Sequence, residues 1–304
     1  MKNIVKITIC VILMLLILYL CTNCLRGIGK NGLAEIFDTW EKENDPNIAV
    51  YDERKDIVIV NGQTISLEEC LGKYYKNTYN DLIICVKDSK IYGVHSYNFS
   101  QREYDVDLYS FDITENEFEV LYTGKFGPGE SDRPIKNLSY DTICYSNNTI
   151  VFTEGYHLVS YKIDTGEVEE LNPQDFSQPK KEYSVERIYD ENGYIDFKAI
   201  IIKSETDERT ISVEYMAQRH PYVQDLLNIG VLRNPLEEVD PLKTFFYDSF
   251  VINDKIYLVC KVLDNDGESN GLVFSYDYSN DQFTFIHHVF SMDVPDITVI
   301  PNES

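Results

Sequence analysis

One pattern recurs along this chain and constrains its fold more than any other feature. The run Leu108-Tyr109-Ser110-Phe111-Asp112-Ile113-Thr114 continues through Glu117-Phe118-Glu119 to Leu121. Fifty residues later, Leu158-Val159-Ser160-Tyr161-Lys162-Ile163-Asp164 continues through Glu167-Val168-Glu169 to Leu171. Both fit L-x-S-aromatic-x-I-x-x-x-E-apolar-E-x-L, and a looser copy over 273–286 carries Ser275-Tyr276-Asp277-Tyr278 and Phe283. Period-two alternation broken by Asp164-Thr165-Gly166-Glu167, or by Ser279-Asn280-Asp281, predicts a strand, a tight turn and a second strand.

A turn and strand precede each copy: Ser89-Lys90-Ile91-Tyr92, Asn148-Thr149-Ile150-Val151 and Asp254-Lys255-Ile256-Tyr257. A degenerate version occupies Gly193-Tyr194-Ile195 and Ile211-Ser212-Val213, so units of three or four strands recur every 50 to 60 residues. An antiparallel sheet of that size cannot bury both faces alone and must stack on its neighbours. In this the chain resembles β-propeller repeat proteins over roughly residues 81–290. The 158–171 hairpin is similar to the outer hairpin of a propeller blade. Phe126-Gly127-Pro128-Gly129-Glu130, leading to Pro134, resembles the inter-blade loop of bacterial six-bladed, NHL-like propellers. The resemblance implies an all-β, propeller-like array of about five or six antiparallel sheets, and it brings no active site with it. Residues 220–240 depart from the pattern, being helical in character and punctuated by proline, as an insertion or an irregular closure would be.

Ahead of the repeats, Lys2 and Lys6 precede an apolar run over 7–21 broken only by Thr8, and polar Thr22-Asn23 follow. Charge, apolar core, then polar residues is the order of an export signal. The run falls short of the roughly 20 residues of a spanning helix unless it extends to Leu25. An uncleaved signal-anchor helix is the favoured reading, because Tyr19-Leu20-Cys21-Thr22-Asn23-Cys24 offers few of the small residues that cleavage uses. A cleaved signal peptide, a lipoprotein modified at Cys21 or Cys24, and a buried first helix remain the alternatives. Lys2 and Lys6 are nearly balanced by Arg26 and Lys30, and the free amino terminus tips the orientation toward export of the C-terminal part. The expected organisation is a leader at 1–30, a short helical stalk at 31–46 and an extracytoplasmic domain at 47–304.

The leader holds four basic residues and no acid, so removing it from the net −24 leaves −28 on residues 31–304. A field of that sign repels phosphate backbones and anionic headgroups, which excludes nucleic acid as a partner and suits a cationic one. Beyond the leader, Cys70, Cys85, Cys144 and Cys260 lack C-x-x-C spacing, so they read as buried thiols, with one or two disulfides as the alternative for an exported chain. Locally, Leu33, Ile36, Phe37 and Trp40 fall on one face of a short helix over 31–43. Ile57-Val58-Ile59-Val60 enters an Asn61-Gly62 hairpin turn, and Ser66 with Glu69 caps a helical turn over 66–75.

Motifs for chemistry are sparse. The five histidines, at 95, 157, 220, 287 and 288, form no H-E-x-x-H pattern, and His287 and His288 point to opposite faces of a strand. Asp264, Asp266 and Glu268 concentrate three carboxylates in one loop. They are a weak candidate for a calcium site, since Gly267 stands at the fourth position rather than the sixth of an EF-hand loop. There is no G-x-S-x-G elbow, and Pro128 spoils a phosphate loop at Gly127 and Gly129. The 23 tyrosines include Tyr74, Tyr75, Tyr92, Tyr97, Tyr104 and Tyr109, which suit either a ligand-binding face or strand packing. The expectation is a membrane-anchored or exported binding module for a protein or carbohydrate. The alternatives are an extracytoplasmic carbohydrate-active enzyme and a structural subunit of a cell-envelope complex.

Overall fold

A computed structural model describes residues 36–75, 81–97, 104–126, 144–154, 157–172, 180–232, 242, 245–263, 269–291 and 297–303. The apolar leader, Leu33, the 127–134 loop and the carboxylate loop at 264–268 lie outside the described residues. No helix among the described residues is long and apolar enough to cross a membrane.

The described chain is mostly β. Strands β1 (Ile48–Asp52), β2 (Ile57–Val60) and β3 (Gln63–Ser66) form an antiparallel meander, and the last strand, β19 (Ile297–Glu303), pairs antiparallel with β1 from Ile48↔Pro301 to Asp52↔Ile297. A second meander holds β4 (Asp81–Lys87), β5 (Lys90–Tyr97), β6 (Tyr104–Asp112) and β7 (Glu117–Phe126). It meets the first through a parallel seam of two residue pairs, Asn302↔Val86 and Glu303↔Lys87, which makes one eight-stranded sheet. The third is β8 (Cys144–Ser146), β9 (Thr149–Glu154), β10 (His157–Lys162) and β11 (Glu167–Leu171). A three-stranded sheet follows with β12 (Ser184–Tyr189), β13 (Ile195–Lys203) and β14 (Glu208–Ser212), then β15 (Phe246–Ile252), β16 (Lys255–Leu263), β17 (Ser269–Asp277) and β18 (Gln282–Ser291). The repeat copies fall on β6–β7, β10–β11 and β17–β18, as the pattern predicts.

Period two explains why these sheets stack. In β16, Ile256, Leu258, Cys260 and Val262 enter one buried cluster while Tyr257 and Val259 enter another. In β4, Ile83 and Val86 face β1 and β2, whereas Ile84 and Cys85 face Ile150, Phe152 and Val159 of β9 and β10. Four buried clusters thus join five units in series, from β12–β14 through β15–β18, β19 with β1–β3, and β4–β7 to β8–β11. Each fully buried Ile, Leu or Phe contributes about 1.5–3 kcal/mol relative to exposure, so every unit depends on the neighbour or neighbours that share its clusters. The outermost β11, Glu-Val-Glu-Glu-Leu, is exposed along almost its whole length, and its carboxylates guard that edge against pairing with other chains.

Local chemistry sets the turns. Asn61 and Gly62 take positive φ of 50° and 76°, and the two-residue turns at Asp88-Ser89, Asn147-Asn148 and Asn253-Asp254 do the same. Helix α1 (Leu67–Leu71) starts where Ser66 Oγ accepts from the Glu69 amide at 3.3 Å. Helices α2 (Val213–Ala217) and α3 (Pro221–Leu232) realise the helical character around 220, and Val213, Met216, Val223 and Leu226 pack them onto β13–β18. The degenerate repeat copy ends in α2 rather than in a strand, because Ser212 caps it through the Tyr215 amide.

The stalk differs from expectation. Among the described residues it is helical only over 36–38, leaves the helix through a turn at 39–40, and is held to β18 where the Glu43 amide donates to the Phe285 carbonyl at 2.9 Å. The face is as expected: Phe37 and Trp40 are buried, with Trp40 stacked on Tyr222 at 4.5 Å and edge-on to Phe285. Asp45 ends this strap, bonded to Lys255 at 2.6 Å and to the Tyr257 hydroxyl at 2.9 Å. Burial pushes its carboxyl up, but the Lys255 ammonium and the Asn47 and Tyr257 donors outweigh this and hold it below the ordinary value. At the other terminus, Glu303 takes the Tyr145 hydroxyl and lies 3.6 Å from Lys87, which bonds Asn148, and Asn148 donates to Asp164 at 2.7 Å. That chain of contacts ties β19 to the turns of two further units.

Two predictions follow from this packing. A Cβ on Gly93 would lie 2.5 Å from the hydroxyl and 2.6 Å from Cζ of the buried Tyr109 ring, its cross-strand partner. Gly93→Ala is therefore expected to lower stability by about 1–3 kcal/mol in urea denaturation. The second concerns His220, His287 and His288, which burial lowers from 6.5 to about 4. The unfolded chain takes up these protons first, so stability should fall as pH drops from about 6.5 toward 4, by on the order of 1 kcal/mol or more per imidazole. Replacing the three by glutamine should flatten the loss measured between pH 6.5 and 5.

Candidate functional site

Two neighbouring sheets end in hairpin turns that frame a cleft of about 680 Å³. One wall is the β13–β14 turn, Ser204-Glu205-Thr206-Asp207, where Ser204 Oγ accepts from the Asp207 amide at 3.0 Å and the Ser204 amide donates to the Asp207 carbonyl at 2.9 Å. The opposite wall is Asp254 of the β15–β16 turn and Tyr278 of the β17–β18 turn. Asp277 builds that second turn by accepting from the Ser279 and Asn280 amides at 2.9 and 3.0 Å, and the Asn280 amide holds its carboxyl below the ordinary value. Residues 180–183, entering β12, close the cleft, and the Glu182 amide donates to Asp254 Oδ1 at 3.3 Å.

Two tyrosines and four carboxylates determine its chemistry. The Tyr183 and Tyr278 rings lie 5.1 Å apart, and their hydroxyls donate to Glu182 at 3.1 Å and Asp207 at 2.9 Å. Burial, then the neighbouring carboxylate, pushes both phenols up, so they stay neutral donors; Tyr183 is buried and Tyr278 half-buried at the cleft wall. Glu182, Glu205, Asp207 and Asp254 outnumber Lys180 and Lys181, and Lys180 is already paired with Glu205. Acceptors beside aromatic faces suit hydroxyl-rich or ammonium-bearing ligands and repel anions.

Asp281 holds this wall in place. It accepts from the Tyr215 hydroxyl at 2.6 Å, the Tyr276 hydroxyl at 2.8 Å, Arg219 Nε at 2.7 Å and Arg209 Nη1 at 3.2 Å. Burial raises its carboxyl, but the Tyr215, Arg219 and Tyr276 donors win and lower it. Arg209 also lies 4.2 Å over the Tyr278 ring and donates to the Tyr278 carbonyl, so the hub reaches the cleft directly.

The residues singled out from the sequence land elsewhere. Tyr75, Tyr97 and Tyr109 do come together, but around buried Asp107, which accepts from Tyr75 at 3.0 Å, Tyr97 at 3.2 Å and Thr123 at 2.7 Å. His95 stacks on Tyr75 at 3.7 Å inside the same layer. Tyr92 faces the other side of its sheet, and Tyr74 alone of the described set is half exposed, stacked on Phe118. These rings serve sheet packing. Asp264, Asp266 and Glu268 lie outside the described residues, and among the described residues no three His, Cys, Asp or Glu side chains gather as a metal site. Cys70, Cys85 and Cys260 are free thiols, with Cys85 and Cys260 fully buried. Sequence reasoning missed the cleft, although Asp277-Tyr278-Ser279-Asn280-Asp281 was legible as a turn.

No family model matches the chain, and no curated protein matches it. Among solved structures, it is similar to the extracellular domain of a candidate one component system from B. thetaiotaomicron. Identity is 9% and the TM-score 0.22, over 80% of this chain, which spans 33% of the matched one.

Asp281→Ala is expected to free α2 from the β17–β18 turn, lowering stability by about 1 kcal/mol given its partial exposure. Faster amide exchange over 213–219, with β4–β7 unchanged, would be the local signature.

Proposed function

We propose that this chain is an exported or membrane-tethered binding module, built as a propeller-like array of five strand units, whose cleft takes a small amine-bearing or hydroxyl-rich ligand. The exposed carboxylates of Glu182, Asp207 and Asp254 beside the half-buried Tyr278 carry this reading, because they offer acceptors with a net negative charge next to an aromatic ring. Support for the propeller-like array comes from the five units stacked in series and from the last strand completing the first unit through β1. Support for the compartment comes from the leader, with Lys2 and Lys6 ahead of the apolar run. The −28 on residues 31–304 turns the choice of partner away from nucleic acid and toward cations.

The test is calorimetric titration of the full chain with spermidine and with maltotriose. One of them should bind, and Tyr278→Ala or Asp207→Asn should weaken it about tenfold, equivalent to about 1.4 kcal/mol. Both probes binding the variants as they bind the original chain, or neither binding at all, would remove the cleft from consideration.

A further inference from the structure

At the far end of the three-stranded sheet, β12 and β13 run into a hairpin that leaves its apolar residues in water. Tyr189 is 61% exposed, Tyr194 73% and Ile195 38%, and Ile188 and Phe197 flank them half-buried. Tyr189 and Ile195 are direct cross-strand partners, so they share one face of the hairpin. This is the largest concentration of exposed apolar side chains among the described residues, since Tyr74, Val120 and Val168 stand on other units.

The tip is rigid. Asp190 Oδ1 accepts from the Asn192 amide at 2.8 Å and the Tyr194 amide at 2.9 Å, and Gly193 takes φ of 80° to complete the turn. The Asp190 amide donates to the Tyr194 carbonyl at 2.8 Å, closing the hairpin above it. At the base, Arg187 donates to the Phe246 and Tyr247 carbonyls of β15 and lies 5.8 Å from the centre of the Phe197 ring. Ordered tyrosines lose little conformational freedom on binding, which makes them effective anchors at protein interfaces.

We propose that this hairpin tip is a docking surface for a protein segment that presents apolar side chains interspersed with lysine or arginine. Charge decides the occupant. Residues 188–197 carry Asp190, Glu191 and Asp196 and no basic residue, and the domain behind them is strongly negative. A basic segment gains from that field, whereas a second copy of this chain and an anionic bilayer are both repelled by it.

The full chain, carrying Tyr194→p-benzoylphenylalanine and reconstituted in phosphatidylcholine–phosphatidylglycerol vesicles, tests this by photo-crosslinking. The probe is a synthetic amphipathic peptide of alternating lysine, leucine and phenylalanine, set against a lysine-only peptide of equal length. An adduct to the amphipathic peptide is expected, falling about tenfold on adding Tyr189→Ser and Ile195→Ser, a loss of about 1.4 kcal/mol. Adducts chiefly to lipid, chiefly to a second copy, or equally to the lysine-only peptide would each overturn the proposal, as would an amphipathic adduct unchanged by the two serines. Spermidine or maltotriose binding at the cleft, measured on the same variant, reads the proposed function separately, because no residue changed here lines the cleft.

Discussion

The pairing of β1 with β19 is the constraint on which the rest of this structure depends. It joins residues 48–52 to residues 297–301 in five consecutive register pairs. It also completes a sheet whose two faces are each covered by a different neighbour, Tyr51 and Ile300 on one side and Val50 and Val299 on the other. Long-range antiparallel pairing bears a loop-closure cost that grows only slowly with chain length, so a separation of this size is tolerated once the burial it permits is large. Without that strand, the clusters shared with β4–β7 and with β15–β18 would both lose a wall. The Glu303, Lys87, Tyr145 and Asn148 contacts hold the end of the same strand against two more units.

A second regularity concerns how an acidic chain satisfies its buried polar groups. Phenols meet its carboxylates, beside a threonine hydroxyl at Asp107 and beside a cation at Asp45 and Asp281. Asp45 takes Tyr257, Asp107 takes Tyr75 and Tyr97, Asp207 takes Tyr278, and Asp281 takes Tyr215 and Tyr276. A tyrosine gives a strand its packing surface and, at its tip, the donor that a half-buried carboxylate needs. The abundance of tyrosine is thereby explained without a ligand, and the proposed binding cleft lies where such a pair, Tyr278 with Asp207, reaches the surface.

The strap over 36–45 leads from the N-terminal segment into the domain. Phe37 and Trp40 pack between β18 and α3, and Asp45 is fixed to β16, so the segment next to the leader is bolted to the domain rather than hinged on it. His288 takes part in that junction, with its Nδ1 3.5 Å from Asp38 and its Nε2 3.0 Å from Asn270 Oδ1. The described strap from Ile36 to Asp45 is thus packed against the domain through β16, β18 and α3.

Much of this was legible in the residues themselves. Alternation at 108–121, 158–171 and 273–286 placed the hairpins, Asn61-Gly62 placed a turn, Ser66 placed a helix cap, and the spacing of Ile36, Phe37 and Trp40 identified a buried face. These are local properties, set by φ, ψ and the period of side-chain direction, and they need no distant partner. What the tertiary structure alone decided was which strands meet. The β1–β19 pairing, the attachment of the stalk to Phe285, the gathering of Tyr75 and Tyr97 on Asp107, and the cleft between 204–207 and Tyr278 all join residues far apart in the chain. One sequence holds no record of such pairings, because each is selected by the burial and hydrogen bonding of the whole assembly rather than by its own neighbours.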